Sequence, residues 1–296
     1  MMRKARMKSD LQREPDIACR IMWITTLVFV LATSPHPQQK YSLTFSPEVG
    51  DSLLYLLNTS VHVTGKDFTG KEVSLGASAA GEISFSTKRN IQDLVFMGLT
   101  TPGIHVRAQT LEGPQSYTLR TSDDMAVQAS FDHRGNAHQI HNLAALNRDR
   151  IWNISLAQIL RDYLPVLPEG PVSVGETWID KKRLSIPYQG MELDVSIERQ
   201  YILQNIIPSA QGEEAFISVD YEVMLSGSEE WGEWTASFEG RGEGGGWLNF
   251  QVQRSCIREF SAEYQTEASL VLRSEDKLFR KWPFHLKVSA SLVMLN

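Results

Sequence analysis

Long runs in which every second residue is apolar constrain this chain more than any other feature. Trp282, Phe284, Leu286, Val288, Ala290, Leu292 and Met294 close the sequence in one such run, and Ala215, Ile217, Val219, Tyr221, Val223 and Leu225 form another. Met191, Leu193, Val195 and Ile197 repeat the beat, as do Ile104, Val106 and Ala108, and Met125, Val127, Ala129 and Phe131. Successive side chains of a strand point to opposite faces, so a period of two predicts strands with one apolar and one polar face. Strands with one wet face belong to antiparallel sheets. The expected fold class is therefore mainly β. It is a large curved antiparallel sheet or sheets with one short amphipathic helix near the middle, and a duplicated half-barrel is one form such a sheet takes.

The turns fit a meander. Asp132-His133-Arg134-Gly135-Asn136 lies between two strand-like runs and carries residues that tolerate positive φ. The glycine-rich stretch Gly240–Gly246 is expected to separate a strand at Trp234–Phe238 from one at Trp247–Val252. Gly76-Ala77-Ser78-Ala79-Ala80-Gly81 reads as a loop between strands rather than as a hydrolase elbow, because the α/β pattern that would hold an elbow is missing. Ser155 is placed to cap a helix whose apolar stripe is Leu156, Ile159, Leu160, Tyr163 and Leu164, with Pro165 ending it.

That helix divides the chain into four parts. Residues 1–32 are a signal peptide or short N-terminal anchor. Residues 33–150 are a β-rich half, 151–166 the helix and linker, and 167–296 a second β-rich half. The halves open on similar words, Val49-Gly50-Asp51-Ser52 and Val174-Gly175-Glu176-Thr177, which points to an internal duplication.

The leader sets the compartment. Ile21–Ala32 is an uncharged, largely apolar run behind Arg3, Lys4, Arg6, Lys8 and Arg20. Its length suits a signal-peptide core and is short for a bilayer span. Cleavage after Ala32, or retention of residues 21–32 as an anchor, both predict an extracytoplasmic chain, periplasmic or secreted. Cys19 precedes the run, where no lipid is attached, and Cys256 would remain alone, so no disulfide framework is expected. Loss of residues 1–32 removes six basic and three acidic residues, taking 29 Lys+Arg and 35 Asp+Glu to 23 and 32, and the net charge from −6 to −9. An acidic chain with no basic patch longer than Lys181-Lys182-Arg183 repels nucleic acid, so no nucleic-acid partner is expected.

The phrase LPEGPVSVGETW, Leu167–Trp178, together with the leader, the hairpin at Phe131–Ile140 and the short helix ahead of the phrase, resembles a group of uncharacterised bacterial exported proteins of similar length. The resemblance implies export and a β-rich architecture, and no activity.

Catalytic and metal chemistry is not expected. His133, His138 and His141 stand beside Asp132, but the two-residue beat puts the last two histidines on opposite faces. Gly240–Gly246 is not followed by Lys-Ser/Thr and a helix, as a phosphate loop requires. Glu229, Glu230 and Glu233 around Trp231 and Trp234 suit a hairpin tip better than a sugar site. Cys256 reads as a small buried hydrophobe. The expected function is non-enzymatic binding of a lipid or other hydrophobic small molecule, in a groove closed by the Ser155–Leu164 helix. Trp178, Trp247 and Trp282 are the ligand-binding residues suggested by aromatic size and strand position. No cofactor or metal is expected. The alternatives are an envelope module that pairs with an envelope protein, with Pro187 and Pro283 blunting its edges, and, behind both, a hydrolase.

Overall fold

A computed structural model describes residues 39–66, 69–110, 113–122, 125–147, 150–151, 154–155, 160–161, 164–188, 191–274 and 277–295. The expected leader, residues 1–32, lies outside the described residues, as does most of the expected helix. Lys40–Asn296 form one compact unit. Its strands are β1 (Lys40–Tyr41), β2 (Ser52–Lys66), β3 (Glu72–Ile91), β4 (Leu94–Thr110), β5 (Gly113–Leu119), β6 (Val127–Asp132), β7 (Ala137–His141), β8 (Arg150–Ile151) and β9 (Ile154–Ser155). They continue with β10 (Val172–Ser173), β11 (Thr177–Tyr188), β12 (Met191–Ser209), β13 (Gly212–Trp231), β14 (Trp234–Gln251), β15 (Cys256–Ser274) and β16 (Lys277–Met294).

Twelve strands form one antiparallel sheet in the order β11-β12-β13-β14-β15-β16-β2-β3-β4-β6-β7, with β5 also paired to β4. The ladder β16–β2, from Phe284 opposite Gly65 to Met294 opposite Tyr55, joins the end of the chain to its first long strand and makes the two halves one sheet. The sheet is not closed by hydrogen bonds between β7 and β11.

Register puts the alternating apolar residues on one face. Across β12, β13, β14, β15, β16 and β2, the row Leu203, Ile217, Leu248, Phe260, Leu292 and Leu57 is continuous, and all but the last are buried. In the first half Phe85, Leu99 and Val127 continue the same face. The incoming segment through Leu43 and Phe45 and the linker residues Val166 and Leu167 cover part of this core face and are themselves buried.

The two similar words occupy the same structure. Gly50 and Gly175 both have positive φ, 97° and 88°. Gly50 N–H donates to Thr87 O and Thr87 N–H returns to Asp51 O; Gly175 N–H donates to Leu203 O and Leu203 N–H returns to Glu176 O. The Asp51 carboxylate accepts from Glu48 N–H at 3.2 Å, and the Glu176 carboxylate from Ser173 N–H at 2.9 Å. A β-bulge follows each contact point, between Thr87 and Arg89 on β3 and between Leu203 and Asn205 on β12. Turn, cap, cross-strand pair and bulge all recur where the two similar words stand.

Two expectations are corrected. Gly240–Gly246 does not separate strands, and Gly76–Gly81 is not a loop: the first lies inside β14 and the second inside β3. The reason is close approach. Gly240, Gly242, Gly244 and Gly246 all lie on the core face, and a Cβ on Gly240 would stand 2.6 Å from the Ala268 Cβ, one on Gly242 2.7 Å from the Thr266 Cα. Gly81 meets Ile104 in the same way, at 2.7 Å. Such glycines mark sharp bends in a sheet, where a side chain would collide with the neighbouring strand. Ser155 belongs to β9 rather than to a helix cap; of the rest of the expected helix Leu160, Arg161 and Leu164 are described, the first two helical and Leu164 in a bend, with Leu160 buried.

Candidate functional site

The unpaired edges of the sheet are tied together by the linker. Leu167 N–H donates to Arg134 O, and Arg134 Nε donates back to Leu167 O, both at 2.9 Å, which fixes the linker to the β6–β7 turn. On the other side Trp178 Nε1 donates to Val166 O at 2.8 Å, and Val166 N–H donates to the Tyr201 hydroxyl at 3.1 Å. Lys182 Nζ reaches directly from β11 to the Asn136 Oδ1 at 3.0 Å. The β6–β7 turn is organised by Asp132, whose carboxylate accepts from the N–H groups of Arg134 and Asn136 at 2.9 Å. Burial works against the Asp132 charge, but its bonds to Asn136, His138 and Arg134 outweigh it and hold the carboxyl below the usual range.

At the centre of this seam Arg199 is 1% exposed. It pairs with Asp180, opposite it on β11, and donates from Nη1 to Leu164 O at 2.7 Å. A buried arginine without such partners would be prohibitively costly. Trp178 stacks flat on Tyr201, with ring centroids 5.3 Å apart and planes 5° from parallel. Burial pushes the Tyr201 and Tyr221 hydroxyls up, so both are neutral donors at ordinary pH.

The opposite face of the second half carries rows of ionisable residues. Register places Met224, Arg241, Glu267 and His285 in one row across β13–β16, and Glu222, Glu243, Gln265 and Lys287 in the next. Two adjoining open grooves of about 870 and 1200 Å³ lie here and share Arg241, Glu267 and His285. The first extends to Arg183, Asp194, Glu239 and Lys281, and the second to His62 and Glu263. Arg241 pairs with Glu222 at 2.7 Å and Lys287 with Glu263 at 2.6 Å. The second groove also borders Tyr221, Tyr264 and Thr266, whose side chains lie on the core face of the same strands. The rings of Tyr221 and Tyr264, both opposite Gly244, stack at 6.1 Å.

The three tryptophans named from sequence are not brought together on one face. Trp178 and Trp282 lie on the core face and Trp247 on the polar face, as their register partners Tyr201, Leu270 and Ser218 show. Trp178 is engaged with the linker. Trp247 is half-buried and stacks with Phe216 at 6.2 Å. Trp282 is buried, with the Arg280 guanidinium 5.3 Å from its ring. His138 lies 3.3 Å from Asp132, and among the described residues no three His, Cys, Asp or Glu side chains converge as a metal site. Cys256 is buried, and burial pushes its thiol up to about 11, with Arg254 opposing. The groove residues were missed from sequence because each is an ordinary surface charge within its own strand. The signal available was the polar half of each alternation, such as Glu239, Arg241 and Glu243.

No protein-family model matches the chain, and no curated protein is similar to it. Among solved structures it is similar to OccK2 (OpdF) of Pseudomonas aeruginosa in complex with glucuronate, at 9% identity over 83% of this chain and 99% of that one, with a TM-score of 0.20. OccK5 (OpdH) of Pseudomonas aeruginosa gives 10% identity, 83% and 99% coverage and a TM-score of 0.20. A BenF-like porin from Pseudomonas fluorescens Pf-5 gives 7%, 83%, 99% and 0.19. At such TM-scores the likeness carries no functional argument.

Proposed function

We propose that this chain is an exported, non-enzymatic binding protein that takes a polar, water-soluble ligand on the charged face over β11–β16. The observation that carries this reading is the pair of adjoining grooves lined by cross-strand rows of both charge signs. The leader and the resemblance carried by Leu167–Trp178 support export to the envelope or beyond. A lipid ligand, the reading favoured by strand length alone, has less support. The apolar face is turned inward against the linker and the incoming segment, and glycines draw neighbouring strands together at the bends. A membrane barrel, by contrast, turns its apolar face outward to lipid.

Thermal unfolding of the purified protein against a panel of water-soluble metabolites tests the proposal. A ligand present at a hundred times its Kd adds about 2.7 kcal/mol to stability, which for a chain of this size raises Tm by roughly 5–10 °C. The rise should vanish in the double variant Arg241→Ala/Glu267→Gln. Stabilisation that persists in that variant, or that only lipids produce, would overturn the reading.

A further inference from the structure

We infer that the rim of the sheet where the chain enters its two halves rests on the surface of a neutral, zwitterionic lipid bilayer. The inference goes beyond the polar-ligand reading and takes from it only the export of the chain. Val49, Ile91, Val174, Ile207 and Leu295 are large apolar side chains, 40–61% exposed, and all stand at this one end of the sheet. Val49 and Val174 each precede the glycine of a matching turn. Ile91 and Ile207 each lie four residues beyond the strand residue to which that glycine donates, Thr87 or Leu203. Leu295 N–H donates to Leu54 O beside the start of β2. The opposite end, at the turns after Lys66, Trp231 and Ser274, has no exposed large apolar side chain among the described residues, and Lys66, Lys71, Glu230 and Glu233 are exposed there instead. Apolar side chains scattered singly over a surface need no explanation, but their concentration at one end does.

The course of the chain identifies what covers this rim. The first described strand, Lys40–Tyr41, pairs with Val172–Ser173, directly before Val174, so the polypeptide enters at the same end. Eight residues lead from Ala32, the last of the apolar run, to Lys40, and fully extended they span at most about 28 Å. Strands of 20 and 18 residues such as β13 and β16 are about 60 Å long, which puts the opposite end beyond that reach. Residues 21–32, kept as an anchor, therefore hold this end to the bilayer and not the other. A run of that length is short for a bilayer span, and a weak insertion becomes stable when a second contact is added. The rim supplies that contact with side chains that enter the headgroup layer. Charge selects the lipid. Residues 33–296 carry 23 basic and 32 acidic residues, and Glu48, Asp51, Asp93 and Glu176 stand on the rim itself. Anionic headgroups repel such a surface, and zwitterionic ones do not.

Fluorescence quenching from within the bilayer tests the inference on the full chain, reconstituted with residues 1–32 in place into vesicles of phosphatidylcholine and phosphatidylethanolamine. An environment-sensitive fluorophore is attached at Val49→Cys, Ile207→Cys or Glu233→Cys in a Cys19→Ser background, with Cys256 buried and out of reach of the label. Lipids spin-labelled near the headgroup should quench the fluorophores at 49 and 207 severalfold more strongly than the one at 233. Val174→Ser/Leu295→Ser, which changes only exposed side chains, should reduce the quenching at 207 while residues 21–32 keep the protein on the vesicles. Equal quenching at all three positions, none at 49 and 207, or quenching at 207 that the serine variant leaves unchanged would overturn the inference. Shielding of the labels at 49 and 207 from aqueous iodide before any lipid is added would assign the rim to a protein partner or a second copy, and would overturn it as well. Metabolite stabilisation lost in Arg241→Ala/Glu267→Gln reads the charged groove and not the rim, so the two proposals stand or fall separately.

Discussion

Gly50 and Gly175 perform the same task at the entrances to the two halves of the sheet: each donates its N–H to the residue where the next strand bulges, Thr87 in one case and Leu203 in the other. Both have positive φ, and a Cβ at either would meet nothing within 4 Å. Alanine at either position is therefore strained only by its backbone, at about 1–2 kcal/mol. Urea denaturation of Gly50→Ala and Gly175→Ala should give losses in that range that agree with each other. A clear loss in one and none in the other would deny the equivalence.

The glycines of β14 separate two costs. At Gly244 a side chain would collide with Tyr264, while at Gly245 the nearest atom is 3.6 Å away. Gly244→Ala should lower stability by roughly 1–3 kcal/mol, the range for overpacking, and Gly245→Ala should be tolerated. Comparing their thermal midpoints decides the point.

These glycines also show where the sequence was legible and where it was not. The alternation of Ala215–Leu225 and Trp282–Met294 named β13 and β16 correctly, because a period of two survives any choice of partner. The run Gly240–Gly246 reads as a loop in one dimension. Only the register, which sets Gly242 against Thr266 and Gly244 against Tyr264, reveals why the strand needs residues without side chains. The groove was hidden for the same reason. Glu222, Arg241, Glu267 and His285 are far apart in sequence and meet only through three ladders. The turn words at Gly50 and Gly175 were legible as similar, but the matching bulges were not.

Arg199 and Asp180 form the ionic centre of the seam. Removing one partner leaves the other buried and uncompensated, at about 3–5 kcal/mol. Asp180→Asn and Arg199→Met should each destabilise on that scale, and the double variant Arg199→Met/Asp180→Leu should recover part of the loss. Chemical denaturation of the three variants measures the coupling.

Asp132 links the β6–β7 turn to pH. Its folded pKa is depressed, so its contribution is present above the unfolded value, near 3.9, and is lost as pH falls through the lower folded value. Asp132→Asn should therefore reduce stability at pH 7 and have a smaller effect at pH 2. Equal effects at both pH values would show that the carboxylate charge is not what holds the turn.

The Cys256 thiol, buried and raised to about 11, should resist a thiol reagent at pH 8 and react fully after denaturation. Thiolates are the reactive form, so rapid labelling of the folded protein would contradict the packing described for the start of β15.

Native mass spectrometry tests the central claim most directly, with the protein incubated in turn with the aqueous and the lipid fractions of an envelope extract. The account predicts a small adduct from the aqueous fraction that is absent from Arg241→Ala/Glu267→Gln. A lipid adduct that survives in that variant, with nothing taken from the aqueous fraction, would place the ligand on the apolar face and contradict it.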